Sequence, residues 1–335
     1  MSQFKYDLVG IGNALVDVLT KIEDNFLEAQ NLPKGSMNLV DMDQSNNLYE
    51  QLPPGKEASG GSAGNTMAGF AALGGKGAFI GKVAGDQFGQ VFRHDLKAMG
   101  VSFDSTDYEG DYSTGKCLVL VSPDAERTMC TYLGAANDLR PEDIDETVIT
   151  GSQVVYMEGY LYDRETAKQA FIKAAETAHK GDTGTLVSLS LSDPFCVDRF
   201  RSEFRDLVKN HVDILFANED EIMSLYEVDT FGKAMDMVRK DCKLAFLTRG
   251  SKGSVVASAD DILAVPAVKV DNVIDTTGAG DQYAAGALYG YTQGHSLETC
   301  ARLGSMMAGE VISHYGARLE RDVKEDMTAI VAEAS

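Results

Sequence analysis

Short apolar runs that end on Gly, Asn, Asp or Ser recur along the chain: YDLVGIG, KGAFIGKVAG, QVVYMEGYL, TLVSLSLSDP, VDILFANEDE and LAFLTRGSKG. Each predicts a buried strand that opens into a loop. Between several of them lie stretches with apolar residues at helical spacing, NTMAGFAALG, GQVFRHDLKAMG and RETAKQAFIKAAETAHK. This alternation predicts an α/β fold, a doubly wound, mainly parallel sheet flanked by helices. Ligands of such sheets sit beyond the carboxyl ends of the strands, so the polar residues closing each run are site candidates.

Two segments break the alternation, residues 14–40 and residues 112–133. In the second, STGKCLVLVSPDAERTMCTYL alternates like two strands around the turn SPDAE. Together they predict a small β-sheet lid built from excursions of a core comprising residues 1–13, 41–111 and 134–335. No repeat, low-complexity tract or Pro-rich linker marks off an independent second domain.

Composition narrows the function classes. With 335 residues, 44% hydrophobic and 24% charged, the chain is globular rather than disordered or fibrous. A net charge of −21 opposes a nucleic-acid backbone or an anionic bilayer as partner, since both need clustered Lys and Arg. A nucleotide stays compatible, because its phosphates need only a local cradle of backbone N–H groups and a metal ion. The five cysteines, Cys117, Cys130, Cys196, Cys242 and Cys300, include no CxxC pair, which signals neither a disulfide framework nor a zinc site. A reducing, cytoplasmic setting is expected; the N-terminal stretch lacks the pattern of a secretory leader, and no apolar run is long enough to span a bilayer.

The segment with the most chemistry is VIDTTGAGDQYAAGALYG, residues 273–290. It reads as an apolar strand end, a small-residue turn and a helix with Asp in its first turn. Gly278, Ala279 and Gly280 lack bulk, so a phosphate can approach the unpaired N–H groups of the helix start, where the dipole also favours an anion. Asp281 beside them is placed to accept a proton from an attacking hydroxyl, a task for which a carboxylate suffices in phosphoryl transfer. A tight turn opening a closely packed helix explains the same residues, and the segment alone leaves the two readings level.

Other candidates each have a plainer rival. In LTRGSKG a strand ends at Thr248, and Gly250 and Gly253 would let the backbone lie along a nucleotide; an ordinary hairpin explains them too. In ANEDE, Asn218 and Glu221 offer oxygen ligands for magnesium one helical turn apart, although an Asn cap followed by acids is the simpler account. Asn13 and Asp17 in GIGNALVDV are natural partners for vicinal sugar hydroxyls. The GxG there lacks the third glycine of a dinucleotide fingerprint, because Leu15 follows Ala14. SGGSAGNTMAGFAALGG contributes Gly60, Gly61 and Asn65 at the start of a helix whose small residues also suit close packing. GDYSTGKC, residues 110–117, approaches a P-loop, but Cys117 stands where Ser or Thr should bind metal, and alternating CLVLVS follows instead of a helix.

Taken in order, GNALVD, GGSAGN, NEDE, TRGSKG and DTTGAGD resemble the ribokinase-like, or PfkB, family of carbohydrate and nucleoside kinases over nearly the whole chain, DTTGAGD being the most specific. IEDNFLEAQ, SLSDPF and HVDILFANEDE are most similar to its adenosine kinase branch. The resemblance implies transfer of the γ-phosphate of ATP, with Mg2+, to the primary hydroxyl of a ribose-containing substrate, adenosine first. A kinase for a free sugar such as ribose or fructose is the alternative, and a catalytically silent ligand-binding protein of the same fold a further one. By that resemblance Asp281 is the base, and Gly278, Ala279 and Gly280 form the anion hole. Asn13, Asp17, Gly60, Gly61 and Asn65 hold the ribose. Asn218, Thr248, Gly250 and Gly253 contact ATP, while Asn218 and Glu221 organise magnesium, partly through water. Arg127 approaches the phosphates on lid closure, and Asp275 and Thr277 bind a monovalent cation such as K+.

Gln282 and Tyr283 depart from the pattern, which has small and Phe residues more often at these positions. Met37, Met129, Leu133 and Tyr160 are candidate walls for a purine, and equally ordinary lid packing. The expected partner is a small molecule, with neither nucleic acid nor membrane. The chain is expected to act as a monomer or homodimer, and the helix-bearing lid insertion disfavours lid-to-lid pairing.

Overall fold

Thirteen strands and twelve α-helices are present among residues 4–333, which the computed structural model describes apart from residues 125 and 182. The larger sheet contains β1 (Tyr6–Ile11), β5 (Gly77–Ile80), β8 (Ser152–Glu158), β9 (Leu186–Ser190), β10 (Ile214–Asn218), β11 (Leu244–Thr248), β12 (Ser254–Ser258) and β13 (Ile262–Val265). Its spatial order is β13-β12-β11-β10-β9-β8-β1-β5, parallel from β5 to β11 and antiparallel at the β12 and β13 edge. All six apolar runs picked out in the sequence are strands of this sheet.

Helices cover both faces. The cluster around Val9, Val155, Leu189 and Leu215 packs beneath α5 (Glu146–Thr150), α6 (Glu165–His179), α7 (Pro194–His211), α8 (Glu219–Tyr226) and α9 (Phe231–Asp241). The cluster around Leu8, Phe79, Tyr156 and Phe246 packs beneath α3 (Ser62–Ala72), α4 (Gln87–Ala98), α10 (Ala279–Thr292), α11 (Leu297–Val311) and α12 (Lys324–Glu333). Strands buried between two helix layers need side chains that are apolar on both faces, which is why these runs do not alternate.

A second sheet, in the order β3-β7-β6-β2-β4, stands beside the carboxyl ends of the first. It comprises β2 (Leu15–Lys21), β3 (Met37–Leu39), β4 (Lys56–Gly60), β6 (Gly115–Val121) and β7 (Arg127–Tyr132), with α1 (Asp24–Ala29) and α2 (Met42–Gln51) covering one face. The first excursion therefore extends to Gly60, not to residue 40, and residues 41–60 belong to the lid rather than to the core. The sequence hid this because β4 reads KEASG, an edge strand without an apolar alternation, recruited by antiparallel pairing with β2. Between β6 and β7, Ser122 N–H donates to Glu126 O at 2.9 Å; the tip of the expected turn, residue 125, lies outside the described residues.

One strand expectation fails. Residues 273–275 are not a strand: Val273 and Ile274 are exposed, at 59% and 47%, and Ile274 N–H donates to Ile312 O at the end of α11. The segment crosses the rim of the molecule instead of entering the sheet.

Candidate active site

β1 lies between β5 and β8, so the chain leaves it towards one side and returns on the other. At such a switch point the loops on the two sides diverge, which is where ligands of these sheets sit. Asn13 follows β1 and Glu158 ends β8; Asn13 Nδ2 donates to Glu158 Oε1 at 2.7 Å, and Ala63 N–H in the first turn of α3 donates to Oε2 at 2.7 Å. Glu158 is 1% exposed, and burial pushes its pKa up to about 7 against the pull of these donors.

Asp281 sits above this floor in the first turn of α10. Its Oδ1 accepts from Ser62 Oγ at 2.6 Å and its Oδ2 from Asn65 Nδ2 at 3.2 Å. Burial of the carboxyl raises its pKa to about 6, while the two donors and Arg318 oppose the rise. Gly278 has φ +77° and ψ 1°, the third position of a type II turn closed by Ala279 N–H to Thr276 O at 3.2 Å. That bond takes one of the three N–H donors expected for the anion hole. The two glycines serve different ends: a Cβ on Gly278 would stand 2.6 Å from Ala317 Cα, whereas a Cβ on Gly280 would meet nothing within 4 Å. α10 has no side-chain cap.

Asp17 approaches from the second sheet. Both its carboxylate oxygens lie where a Cβ on Gly60 would be, at 2.4 Å, so only glycine admits this placement. Gly61, at φ +82°, brings α3 so close that a Cβ would stand 2.1 Å from Asn13 O. Burial raises the Asp17 pKa to about 6; Arg318 and Arg127 oppose the rise, and Asp281 adds to it. The five expected sugar-binding residues, Asn13, Asp17, Gly60, Gly61 and Asn65, are thus brought together around Asp281.

The remaining expectations fall in two further groups. Asn218 and Thr248 end the paired strands β10 and β11. Asn218 caps α8: Glu221 N–H donates to Asn218 Oδ1 at 2.8 Å, and both Glu221 oxygens accept from Asn218, at 2.9 Å from its N–H and 2.6 Å from Nδ2. The capping account is the one realised. Burial raises Glu221 to about 7. With both oxygens engaged, this carboxylate fits a hydrated magnesium through water rather than by direct ligation. Gly250 and Gly253 form the β11–β12 hairpin, where Arg249 N–H donates to Gly253 O at 2.8 Å; a Cβ on Gly253 would meet Val265 O at 2.1 Å, while Gly250 faces open space.

The third group crosses from lid to core. Arg127 Nη1 is 2.5 Å from Asp275 Oδ2, and Asp275 Oδ1 accepts from Thr277 N–H at 3.1 Å and Thr277 Oγ1 at 2.7 Å. Gly316 N–H also donates to Asp275 Oδ2, at 3.0 Å. The expected cation site therefore has its anionic ligand committed to a guanidinium, and Asp275 and Thr277 do not fit K+ in this arrangement. Arg127 Nε and Nη2 are buried without a partner among the described residues.

Three polar residues of the site were not foreseen. Ser62 lies inside GGSAGN, where attention fell on the glycines and Asn65. Glu158 ends the apolar run QVVYME, and a lone acid closing a buried strand is the signal that could have flagged it. Arg318 carries no pattern at all. Gln282 and Tyr283 are structural: Gln282 Nε2 donates to Asn65 O and Ala317 O, at 3.1 and 2.9 Å, and Tyr283 OH to Ser254 Oγ at 2.8 Å. The near-P-loop is structural too, since Lys116 Nζ donates to Asn46 Oδ1 at 2.7 Å and packs over Tyr49 and Phe88, beneath α2.

A mainly parallel sheet with a carboxylate and an open helix mouth at its switch point, beside a second small sheet, suits a small-molecule phosphotransferase. The pattern of the pfkB family of carbohydrate kinases matches residues 35–323, and the chain belongs to that family. It is a kinase. It is 46% identical to the adenosine kinase of Sinorhizobium meliloti, with TM-score 0.88 over 97% of this chain and 99% of that one. It is 44% identical to a probable sugar kinase protein from Rhizobium etli CFN 42, with TM-score 0.89 over 97% and 98% of the two chains. The adenosine kinase of Saccharomyces cerevisiae is 27% identical over 331 residues, 92% of this chain and 95% of that protein. No helix among the described residues is long and apolar enough to cross a membrane.

Proposed function

We propose that this kinase transfers the γ-phosphate of ATP to the primary hydroxyl of a ribose-bearing substrate, adenosine first, with Asp281 as base. The observation that carries the reading is the meeting of Asp281 with Asp17. Asp281 lies beside the open side of Gly280, and Asp17 faces it without a protein hydrogen-bond donor among the described residues. A sugar whose vicinal hydroxyls donate to Asp17 would direct its primary hydroxyl towards Asp281. The α10 N–H groups would then receive the charge that develops on the phosphoryl oxygens. Arg127, with two unpartnered N–H groups, would close over those phosphates.

Adenosine is favoured by the lid. Strand residues two apart share a face, so Asp17 shares its face with Leu19 and, through the pairings Leu19–Val119–Met129–Met37, with an apolar row that crosses the sheet. Met37 is 46% exposed on this row. A purine can lie against such a surface, whereas a free sugar leaves it wet. Likeness to the Sinorhizobium meliloti enzyme points the same way. The second reading, a free-sugar kinase, draws on the polar floor that Asn13 and Glu158 form and on the Rhizobium etli likeness. Magnesium bound with ATP would neutralise phosphate charge, with Glu221 holding it through water. Because α1 and α2 cover the outer face of the lid, the reading takes a single chain as the working unit.

The test is a coupled ADP-release assay over adenosine, inosine, guanosine, ribose and fructose, with Asp281→Asn alongside. Adenosine should give the highest kcat/KM, and Asp281→Asn should lose at least about a thousandfold in kcat while still binding ATP. Turnover of a free sugar without turnover of adenosine would move the assignment to the second reading.

A further inference from the structure

Arg318 leaves the C-terminal loop after α11 and enters the site from behind. Its Nε donates to Asn65 Oδ1 at 3.2 Å, Nη2 to Ser59 Oγ at 3.1 Å, and Nη1 approaches Met99 Sδ at 3.2 Å. The first contact fixes the Asn65 amide. With Oδ1 turned to Arg318, Nδ2 must face the other way, and there it donates to Asp281 Oδ2. Arg318 thus reaches Asp281 through one intervening side chain.

Its charge also acts directly. The carboxylates around Arg318 are Asp17 from β2, Asp95 from α4 and Asp281 from α10. Around Asp281, α3 supplies only the neutral donors Ser62 and Asn65, β8 supplies Glu158 and Tyr156, the turn after it supplies Tyr160, and β2 supplies Asp17. All of these but Arg318 are neutral or acidic. Arg127 adds positive charge towards Asp17 but is itself paired with Asp275. Arg318 is therefore the cation that, alongside the Ser62 and Asn65 hydrogen bonds, offsets the burial of the Asp281 carboxyl, and a guanidinium holds its proton in such surroundings.

We propose that Arg318 is a positioning residue for phosphoryl transfer: through Asn65 it aims the Asp281 carboxylate, and through its charge it keeps that carboxylate ionised at neutral pH. The inference rests on Asp281 being the base. It predicts that the acid limb of the kcat–pH profile belongs to Asp281 and is lowered by Arg318.

The test compares wild type, Arg318→Met, Arg318→Lys and Asp281→Asn as full-length proteins, measuring kcat from pH 5 to 9 with saturating Mg-ATP and the acceptor that wild type turns over best. In parallel, 13C-aspartate-labelled protein without substrate gives the titration of Asp281, its resonance assigned by its loss in Asp281→Asn. Arg318→Met should move both the acid limb and the Asp281 titration up by about one pH unit, so that the loss in kcat is largest below pH 7 and shrinks towards pH 9. Arg318→Lys should leave the limb near the wild-type position and lower kcat, because the charge stays while the bond to Asn65 is lost. An unmoved limb and resonance in Arg318→Met would overturn the proposal, whatever the loss in rate. Should the Met variant not fold, the Lys variant decides: a limb in place with reduced kcat supports the proposal, and a displaced limb or an unchanged kcat overturns it. Activity retained in Asp281→Asn would sink the base assignment instead, while the carbon titration would still report the charge effect of Arg318.

Discussion

Arg127 on the lid and Asp275 on the core meet as an ion pair with both side chains about nine-tenths buried, at 9% and 10% exposure. It ties the second sheet to the segment that leads into α10. Removing one partner leaves the other charge buried and unpaired, which costs more than the pair itself contributes.

Asp275→Ala is accordingly expected to destabilise the protein by about 3 kcal/mol, with Arg127→Met/Asp275→Ala regaining part of the loss. Urea denaturation midpoints of the single and double variants check this. Since the guanidinium already neutralises Asp275, wild-type turnover should be the same in KCl and in choline chloride at equal ionic strength. A severalfold rise with K+ would mean that Arg127 leaves Asp275 during the reaction.

A second expectation concerns pH. Burial raises Asp17 and Asp281 to about 6 and Glu158 and Glu221 to about 7, above the values such groups have in an unfolded chain. The folded protein therefore holds these protons more tightly than the unfolded one. The stability they supply is complete below about pH 4 and is lost as the pH rises through 6 and 7. The ligand-free enzyme should melt higher at pH 5.5 than at pH 8, and Asp17→Asn should shrink the stability difference between the two by about 1 kcal/mol, because Asp17 has no donor among the described residues to lose. The net charge of −21 acts in the same direction, so the difference between wild type and variant is the quantity to measure. Parallel curves would show that Asp17 titrates normally.

Much of this was legible beforehand, for a physical reason. A strand buried on both faces must be apolar throughout, so β1, β8, β10 and β11 stand out, and the polar residues closing them mark the rim of the site. Edge strands carry no such mark: β4 is KEASG, and its place in the lid depends on pairing with β2. The glycines were visible, but their tasks were not, because Gly60 clears space for Asp17 across the sheet while Gly278 clears space for Ala317 across the loop. Arg318 escaped altogether. Its role depends on a loop returning to α3 from 253 residues away, a relation that no local pattern encodes.

The adjacent glycines Gly60 and Gly61 should separate binding from folding. Gly60→Ala places a methyl group against the Asp17 carboxylate, a side chain able to rotate away, so the protein should fold and the acceptor KM should rise at least about tenfold. Gly61→Ala forces a Cβ into Asn13 O at a positive φ, where backbone must move, and should cost roughly 2–3 kcal/mol of stability. Thermal melts and acceptor titrations on both variants distinguish the two. An unchanged KM in Gly60→Ala would remove Asp17 from the sugar site.

Gly280 offers the sharpest separation of stability from catalysis. It lies in the first turn of α10 without a positive φ, and a Cβ there meets nothing within 4 Å. Helix propensity alone then predicts that Gly280→Ala leaves stability unchanged or raises it by about 0.5–1 kcal/mol. If the open space is where the transferring phosphoryl group lies, the same methyl group intrudes on it, and kcat should fall at least about tenfold. A variant that melts no lower than wild type yet turns over slowly would place the phosphoryl group at this helix mouth. One that is equally stable and fully active would mean that the anion hole lies elsewhere, and the assignment of Gly278, Ala279 and Gly280 would fall with it.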